Sequence, residues 1–328
     1  MDVVTLGAAK ADAKKNYPKN INDGKKRLRF RPVSNSPVLL ASQFGLSKID
    51  SPNLIYVRDM LPSAPADYAM IVSTNHALDT SDGTYLAWVT NPLDPSTYTI
   101  YGRIYQDRVV GISTETARII KVPELGLFYL YYQQSGAGNN QSTLLAVSKD
   151  LMTWERIGVV IDYAEGTMPG DGHTGNYGPI QRHSANRWTA LTLMGGTNYG
   201  RMAISHSADG VRWHMDPHPI SPSIEIVRDG SLVDSPQGGF FYFNGELWGL
   251  GFIGINSSGL TVTTREIVAG PVSRDYRNWV GRPSQVWFPT ASTQSHDIQS
   301  AQLDVIGDTL YLLLTVGSDV HMAVGEVY

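Results

Sequence analysis

Apolar side chains in this chain fall in short runs separated by clusters of Gly, Pro, Asn, Asp and Ser. Leu127-Phe-Tyr-Leu-Tyr-Tyr132 and Thr309-Leu-Tyr-Leu-Leu-Leu314 are typical, as are Arg187–Leu193 and Glu246–Phe252. Runs this short, rich in aromatic residues and bounded by turn formers, predict β-strands rather than helices. Each has a strand-like companion just upstream: Ala117–Val122, Gly178–Arg182, Gly239–Phe243 and Ala301–Ile306, with Asn53–Val57 before Tyr68–Val72. Asn244-Gly245 and Gly307-Asp308 join two of the pairs, and such dipeptides favour tight hairpins. Helical periodicity is confined to residues 6–16, where Leu6, Ala8, Ala9, Ala11 and Ala13 would form a short helix.

Beyond each pair the chain repeats itself. Ser-x-Asp-x-x-x-Trp occurs at Ser148–Trp154, Ser207–Trp213 and Ser273–Trp279, with a degenerate copy from Asn91 through Asp94 to Tyr98. The Asp of such a motif accepts backbone N–H bonds in a turn. The Trp then opens the next strand and packs between neighbouring sheets. The unit is thus four short strands, recurring five times at a period of about 60 residues. Radial repetition of four-stranded units predicts an all-β fold, a five-bladed β-propeller. The fifth unit, ending at Tyr328, lacks an outer strand. Arg27–Ala41 is predicted to supply it, closing the ring and removing an exposed edge. Residues 1–25 then form an N-terminal segment and 26–328 the propeller.

The innermost strands of a propeller line a central channel, so residues just before them converge at one mouth. Here these are Asp50, Glu115, His173, Asp234 and His296, flanked by Asp171 and Asp297. Carboxylates and imidazoles gathered in this way suit a polar ligand, a sugar or a metal. The bland alternative is that they cap strand ends. No cofactor is required, although oxygen ligands on the axis would suit a calcium ion. Asp162–Tyr177, a long Gly-rich stretch, is a further candidate for ligand contact.

Charge modifies this picture. Residues 1–31 carry nine basic and three acidic side chains, leaving 17 basic against 27 acidic in the remainder. So acidic a body argues against nucleic-acid binding, which needs clustered Lys and Arg. The chain has no cysteine, which excludes disulfides, thiolate metal sites and a cysteine nucleophile. No apolar run is long enough to predict a membrane span. The opening residues lack a secretory pattern, so the protein is expected to stay in the cytoplasm or be assembled into a particle there.

Glu115-Thr116 through Tyr131-Tyr132, followed by Ser148-Lys149-Asp150 to Trp154, resembles the blades of five-bladed glycoside hydrolases acting on arabinan, xylan and fructan. The resemblance spans about residues 45–328. It implies an Asp in the first blade, an Asp in the second and a Glu in the third. Asp50 matches the first and Glu115 loosely the second, but Tyr177-Gly178-Pro179 stands where the third is expected. His296 matches a fifth-blade histidine. The head, Val4–Tyr17, resembles the Ala/Lys-rich segments that open bacteriophage tail-fibre proteins.

Together these give the leading expectation: a phage tail receptor-binding protein in the virion tail, trimeric through its head and attached to other tail proteins. It would recognise bacterial surface carbohydrate at the propeller mouth. The alternative is a glycoside hydrolase, with Asp50 as base or nucleophile and Glu115 or Asp234 as acid. A third possibility is a purely structural propeller. Other signals carry less. His214 and His218 have metal-ligand spacing, but Pro217 and Pro219 forbid a helix there. Gly136–Asn140 lacks the strand-to-helix context of a phosphate loop. Tyr131 and Tyr132 are expected to pack between blades.

Overall fold

A computed structural model describes residues 28–74, 81–107, 113–135, 141–162, 180–194, 201–216, 239–256, 262–274, 284–286 and 298–327. The described residues form five antiparallel four-stranded sheets. The first blade runs outward through β2 (Asp50–Tyr56), β3 (Tyr68–Ser73), β4 (Thr84–Val89) and β5 (Tyr98–Tyr105). The second contains β6 (Ser113–Val122), β7 (Leu127–Ser135), β8 (Gln141–Ser148) and β9 (Glu155–Ile161). The third contains β10 (Gln181–Ser184), β11 (Arg187–Met194), β12 (Arg201–Ser207) and β13 (Trp213–Met215). The fourth contains β14 (Gly239–Phe243), β15 (Glu246–Asn256), β16 (Val262–Pro271) and β17 (Ser284–Val286). In the fifth, β18 (Ile298–Ile306), β19 (Thr309–Val316) and β20 (Asp319–Val327) are completed by β1 (Leu28–Pro32).

The predicted five-bladed propeller is therefore the observed fold. Helical structure among the described residues is limited to three short 3-10 turns, and none is long and apolar enough to cross a membrane. The head, with its predicted helix, lies outside the described residues. Within the third blade the inner strand begins at Gln181, later than the sequence run suggests.

The core lies between blades. Central strands are buried on both faces, so successive residues serve different neighbours. In β3, Met70 and Val72 pack with Leu313 and Met322 of the fifth blade. The alternate residues, Ala69 and Ile71, pack with Phe128, Leu130 and Tyr132 of the second. This explains why the central strands read as continuous apolar runs rather than alternating ones. Tyr131 faces the other way and meets Trp188 in the layer between second and third blades. Both tyrosines are about 1% exposed, which is the inter-blade packing expected of them.

The Ser-x-Asp-x-x-x-Trp motif folds alike in both copies that are fully described. Asp150 Oδ1 accepts from the amides of Met152 and Thr153 at 2.8 and 2.7 Å. Asp209 Oδ1 accepts from Val211 and Arg212, both at 2.8 Å. Each Trp donates its indole N–H to the carbonyl of the residue after the Asp, Leu151 or Gly210, at 3.0 Å. That residue has φ of 67° in Leu151 and 74° in Gly210, a left-handed conformation natural to Gly and costly to Leu. At Gly210 a side chain is also excluded by space, since a Cβ would lie 2.7 Å from the Tyr131 hydroxyl.

Ring closure follows the sequence expectation, with a shorter strand. β1 pairs antiparallel with β20 from Leu28↔Val327 to Pro32↔Ala323, and Leu39 adds an isolated bridge to Val320. Leu28 and Phe30 point into the layer between fourth and fifth blades, beside Phe241, Trp248 and Leu310. Phe30 is 2% exposed. Phe30→Ala is therefore expected to cost about 3–5 kcal/mol in urea unfolding. Leu40→Ala, on an exposed side chain nearby, should stay within about 0.5 kcal/mol. Equal effects would mean that the closing strand does not hold the ring.

Candidate functional site

The five inner strands β2, β6, β10, β14 and β18 surround the channel, and their first residues mark what is here termed the upper mouth. Asp50 opens β2 and Glu115 lies near the start of β6. The structure thus brings these two expected residues to matching places in adjacent blades. Asp171, His173, Asp234, His296 and Asp297 lie outside the described residues, as does most of Asp162–Tyr177.

Both carboxylates are aimed by the same backbone device. The ladder between β2 and β3 is interrupted between Asp50 and Asn53, and that between β6 and β7 between Glu115 and Arg118. The residue after each carboxylate, Ser51 or Thr116, has φ of 50°. Non-glycine residues seldom adopt this conformation, least of all a β-branched Thr, and where they do the surroundings must impose it. Bulges of this kind re-aim a side chain at a strand end. The hydroxyls of Ser51 and Thr116 are buried without a hydrogen-bond partner, so they do not account for the strain.

Asp50 is 8% exposed. Its Oδ1 accepts from the Ser51 amide at 2.6 Å and from the Ser300 hydroxyl of the fifth blade at 2.5 Å. Ser300 Oγ lies 2.9 Å from Thr315 Oγ1 in the same blade. Glu115, 5% exposed, stands directly across the ladder from Gln133. The Gln133 amide is buried with neither its nitrogen nor its oxygen paired among the described residues.

A third carboxylate, Asp82, stands close enough to Glu115 to feel its charge. Asp82 sits just before β4, held by Thr74 and Gly83. The Gly83 amide donates to Thr74 Oγ1 at 3.0 Å, and a Cβ on Gly83 would come within 2.5 Å of the Tyr105 carbonyl. From there Asp82 reaches across to the second blade, its Oδ1 accepting from the Thr114 amide at 2.8 Å. Its Oδ2 is buried without a partner among the described residues. Burial pushes the Asp82 carboxyl up, and the negative charge of Glu115 adds to this, while bonds from Thr114 and Thr74 offset part of the rise. Sequence reading missed Asp82, because Ser81-Asp82-Gly83 looks like any turn.

A fourth acid, Asp107, is committed to structure. Its Oδ2 takes the Tyr132 hydroxyl at 2.7 Å and Arg156 Nε at 2.9 Å. Below the mouth, Asp304 of β18 accepts from the Leu54 amide at 2.7 Å, Asn53 Nδ2 at 3.1 Å and Arg118 Nη2 at 3.0 Å. Burial raises its proton affinity, and Arg118 with these donors works against that rise. Among the described residues no three His, Asp or Glu side chains group as ligands for a metal ion.

No family model and no curated protein matches the chain. Solved structures do. A member of glycoside hydrolase family 130, described with mannoside phosphorylases and hydrolases of β-1,2-mannosidic linkages in Candida mannan, matches with TM-score 0.61 at 13% identity, over 90% of this chain and 93% of its own. A glycosyl hydrolase from Bacteroides ovatus matches with TM-score 0.56 at 13% identity, over 94% and 92%. The family 43 endo-arabinanase from Bacillus licheniformis matches with TM-score 0.54 at 13% identity, over 86% and 93%. The likeness is one of fold. The chain is a five-bladed propeller resembling glycoside hydrolases of these families. That overturns the tail-protein expectation: the structural neighbours are glycoside hydrolases, and nothing supports a phage, virion or trimer reading. It rested on a short run of Ala and Lys, a composition that many helices share and that specifies no partner.

Asp82 makes a pH-dependent prediction. A carboxyl whose folded-state affinity for a proton is raised weakens the fold as pH climbs from its unfolded value near 3.8. Asp82→Asn removes that loss and keeps an oxygen for the Thr114 amide. It should therefore raise the melting temperature more at pH 7 than at pH 4. An equal or larger gain at pH 4 would show that Asp82 ionises freely. At Thr116, replacement by Gly should relieve backbone strain and stabilise by roughly 1 kcal/mol, read by urea titration. A clear loss would mean that the Thr side chain packs well enough to justify its conformation.

Proposed function

We propose that the upper mouth cleaves glycosidic bonds, with Asp50 and Glu115 as the reacting pair. The observation carrying this reading is the shared device: two buried carboxylates, at matching positions of adjacent inner strands, each followed by a left-handed non-glycine residue at a bulge. Strain repeated at equivalent sites in two blades, around acidic side chains, is characteristic of catalytic placement. The fold shared with glycoside hydrolases supports the same chemistry.

Glycoside hydrolysis requires one carboxyl to protonate the leaving oxygen and another to act as base or nucleophile. Asp50 suits the second role. The Ser300 hydroxyl and the Ser51 amide hold its Oδ1, fixing the orientation of the carboxylate at the mouth. Glu115 suits the first, with Asp82 beside it as a positioning residue. Burial, with the neighbouring Glu115 charge, favours the protonated form of Asp82, so a proton is held at this edge of the mouth. The second blade would then supply the proton that related sequences draw from the third, where Tyr177 stands instead.

The test is sugar release from a panel of plant, fungal and bacterial polysaccharides, followed by reducing-end assay. Asp50→Asn and Glu115→Gln should each lower the rate by about 10²–10⁴-fold, with melting temperatures near that of the parent. Binding without release, or release that survives both substitutions, would refute this assignment.

A further inference from the structure

The channel has a second mouth. Where the inner strands end, a cavity of about 830 Å³ opens, lined by side chains from all five blades. The Asp304–Arg118–Asn53 cluster contributes to its lining, and Ile55, Ile119 and Phe241 give it apolar walls. The volume suits a ligand of one or two sugar rings. It lies at the opposite end of the inner strands from Asp50 and Glu115.

The charge here is unlike that of the acidic body. Among the described residues Arg118, Lys121, Arg182 and Arg187 line the cavity, against Asp59 and Asp304. Three of the four cations are already neutralised. Arg118 pairs with Asp304 at 3.0 Å, Lys121 with Asp59 at 2.6 Å and Arg182 with Glu124 at 2.5 Å. Arg187, at the start of β11, has no carboxylate within ion-pair distance among the described residues, and it is exposed. His183 beside it adds no charge at neutral pH. Burial, then Arg187 and His206, pushes its imidazole down to about 4. Tyr56 and Tyr242 stand on the same lining, the latter edge-on to His183 at 5.3 Å between ring centres.

We propose that this lower mouth binds a small organic acid, one carboxylate on a sugar-sized body, with Arg187 receiving the carboxylate. One cation without a carboxylate partner among the described residues matches one negative charge. The guanidinium fork fits a carboxylate through two parallel hydrogen bonds. Tyr56 and Tyr242 offer aromatic surface, and the isoleucines an apolar floor, for the body of the molecule. Nothing in this assignment rests on cleavage at the upper mouth.

Isothermal titration of the full chain with D-galacturonate tests it, with D-galactose as the uncharged control of the same shape. Galacturonate should bind and galactose should not. Arg187→Gln should weaken binding roughly tenfold or more, the loss of a charge-assisted contact, and Arg187→Lys should lose less. Asp50→Asn should bind as the parent does. Arg187 is exposed, so its variants should melt with the parent. Absence of binding, equal binding of galactose, indifference to Arg187→Gln, or loss in Asp50→Asn would each overturn the proposal; the last would move the acid to the upper mouth.

Discussion

The buried carboxylate of Asp304 is the constraint on which the ring depends. From the fifth blade it takes hydrogen bonds from the backbone and side chain of the first and from Arg118 of the second. Asn53 passes the link onward, its Oδ1 accepting from the Ile119 amide at 2.8 Å. Three inner strands are thereby locked in register around one charge. A buried ion pair seldom adds much net stability, since desolvation offsets the attraction, but removing one partner strands the other. Apolar layers between blades tolerate sliding; this cluster does not. It fixes how far each inner strand protrudes, and so where Asp50 and Glu115 stand.

The same cluster separates two ends of differing chemistry. Above it β2 and β6 carry Asp50 and Glu115 at bulges near their starts. Below it they end among cations, tyrosines and branched aliphatic side chains. Each inner strand serves both ends: β6 carries Glu115 near its start and Lys121 near its finish. A shift of one residue in β6 would exchange its faces and disturb both mouths together.

Much of this was legible in the sequence, for identifiable reasons. Ser148–Trp154 and Ser207–Trp213 announce their turns because the Asp and Trp bonds are local, within a few residues. β1 was legible because an open ring needs one more strand, and Leu28 and Phe30 alternate with Arg29 and Arg31 as a half-buried strand should. Asp50 and Glu115 could be placed from the repeat. Asp82 could not: its role arises from the approach of two blades, when the Thr114 amide meets its carboxylate. The pairing of Lys121 with Asp59, and the want of a carboxylate beside Arg187 among the described residues, are likewise products of packing. The head misled because composition without periodic partners carries no tertiary information.

The closing strand has a consequence for how the molecule comes into being. Among the described strands β1 is synthesised before all the others and β20, its partner, after them. At about 5–20 residues per second, the delay between them is on the order of 15–60 s. Throughout that interval Leu28 and Phe30 have no sheet to join, while four other blades can already stack. The nascent protein is an open arc with two unsatisfied edges, vulnerable to pairing with another such arc. Completion is therefore a single late event joining distant segments, and the quality of the finished molecule is decided at that seam.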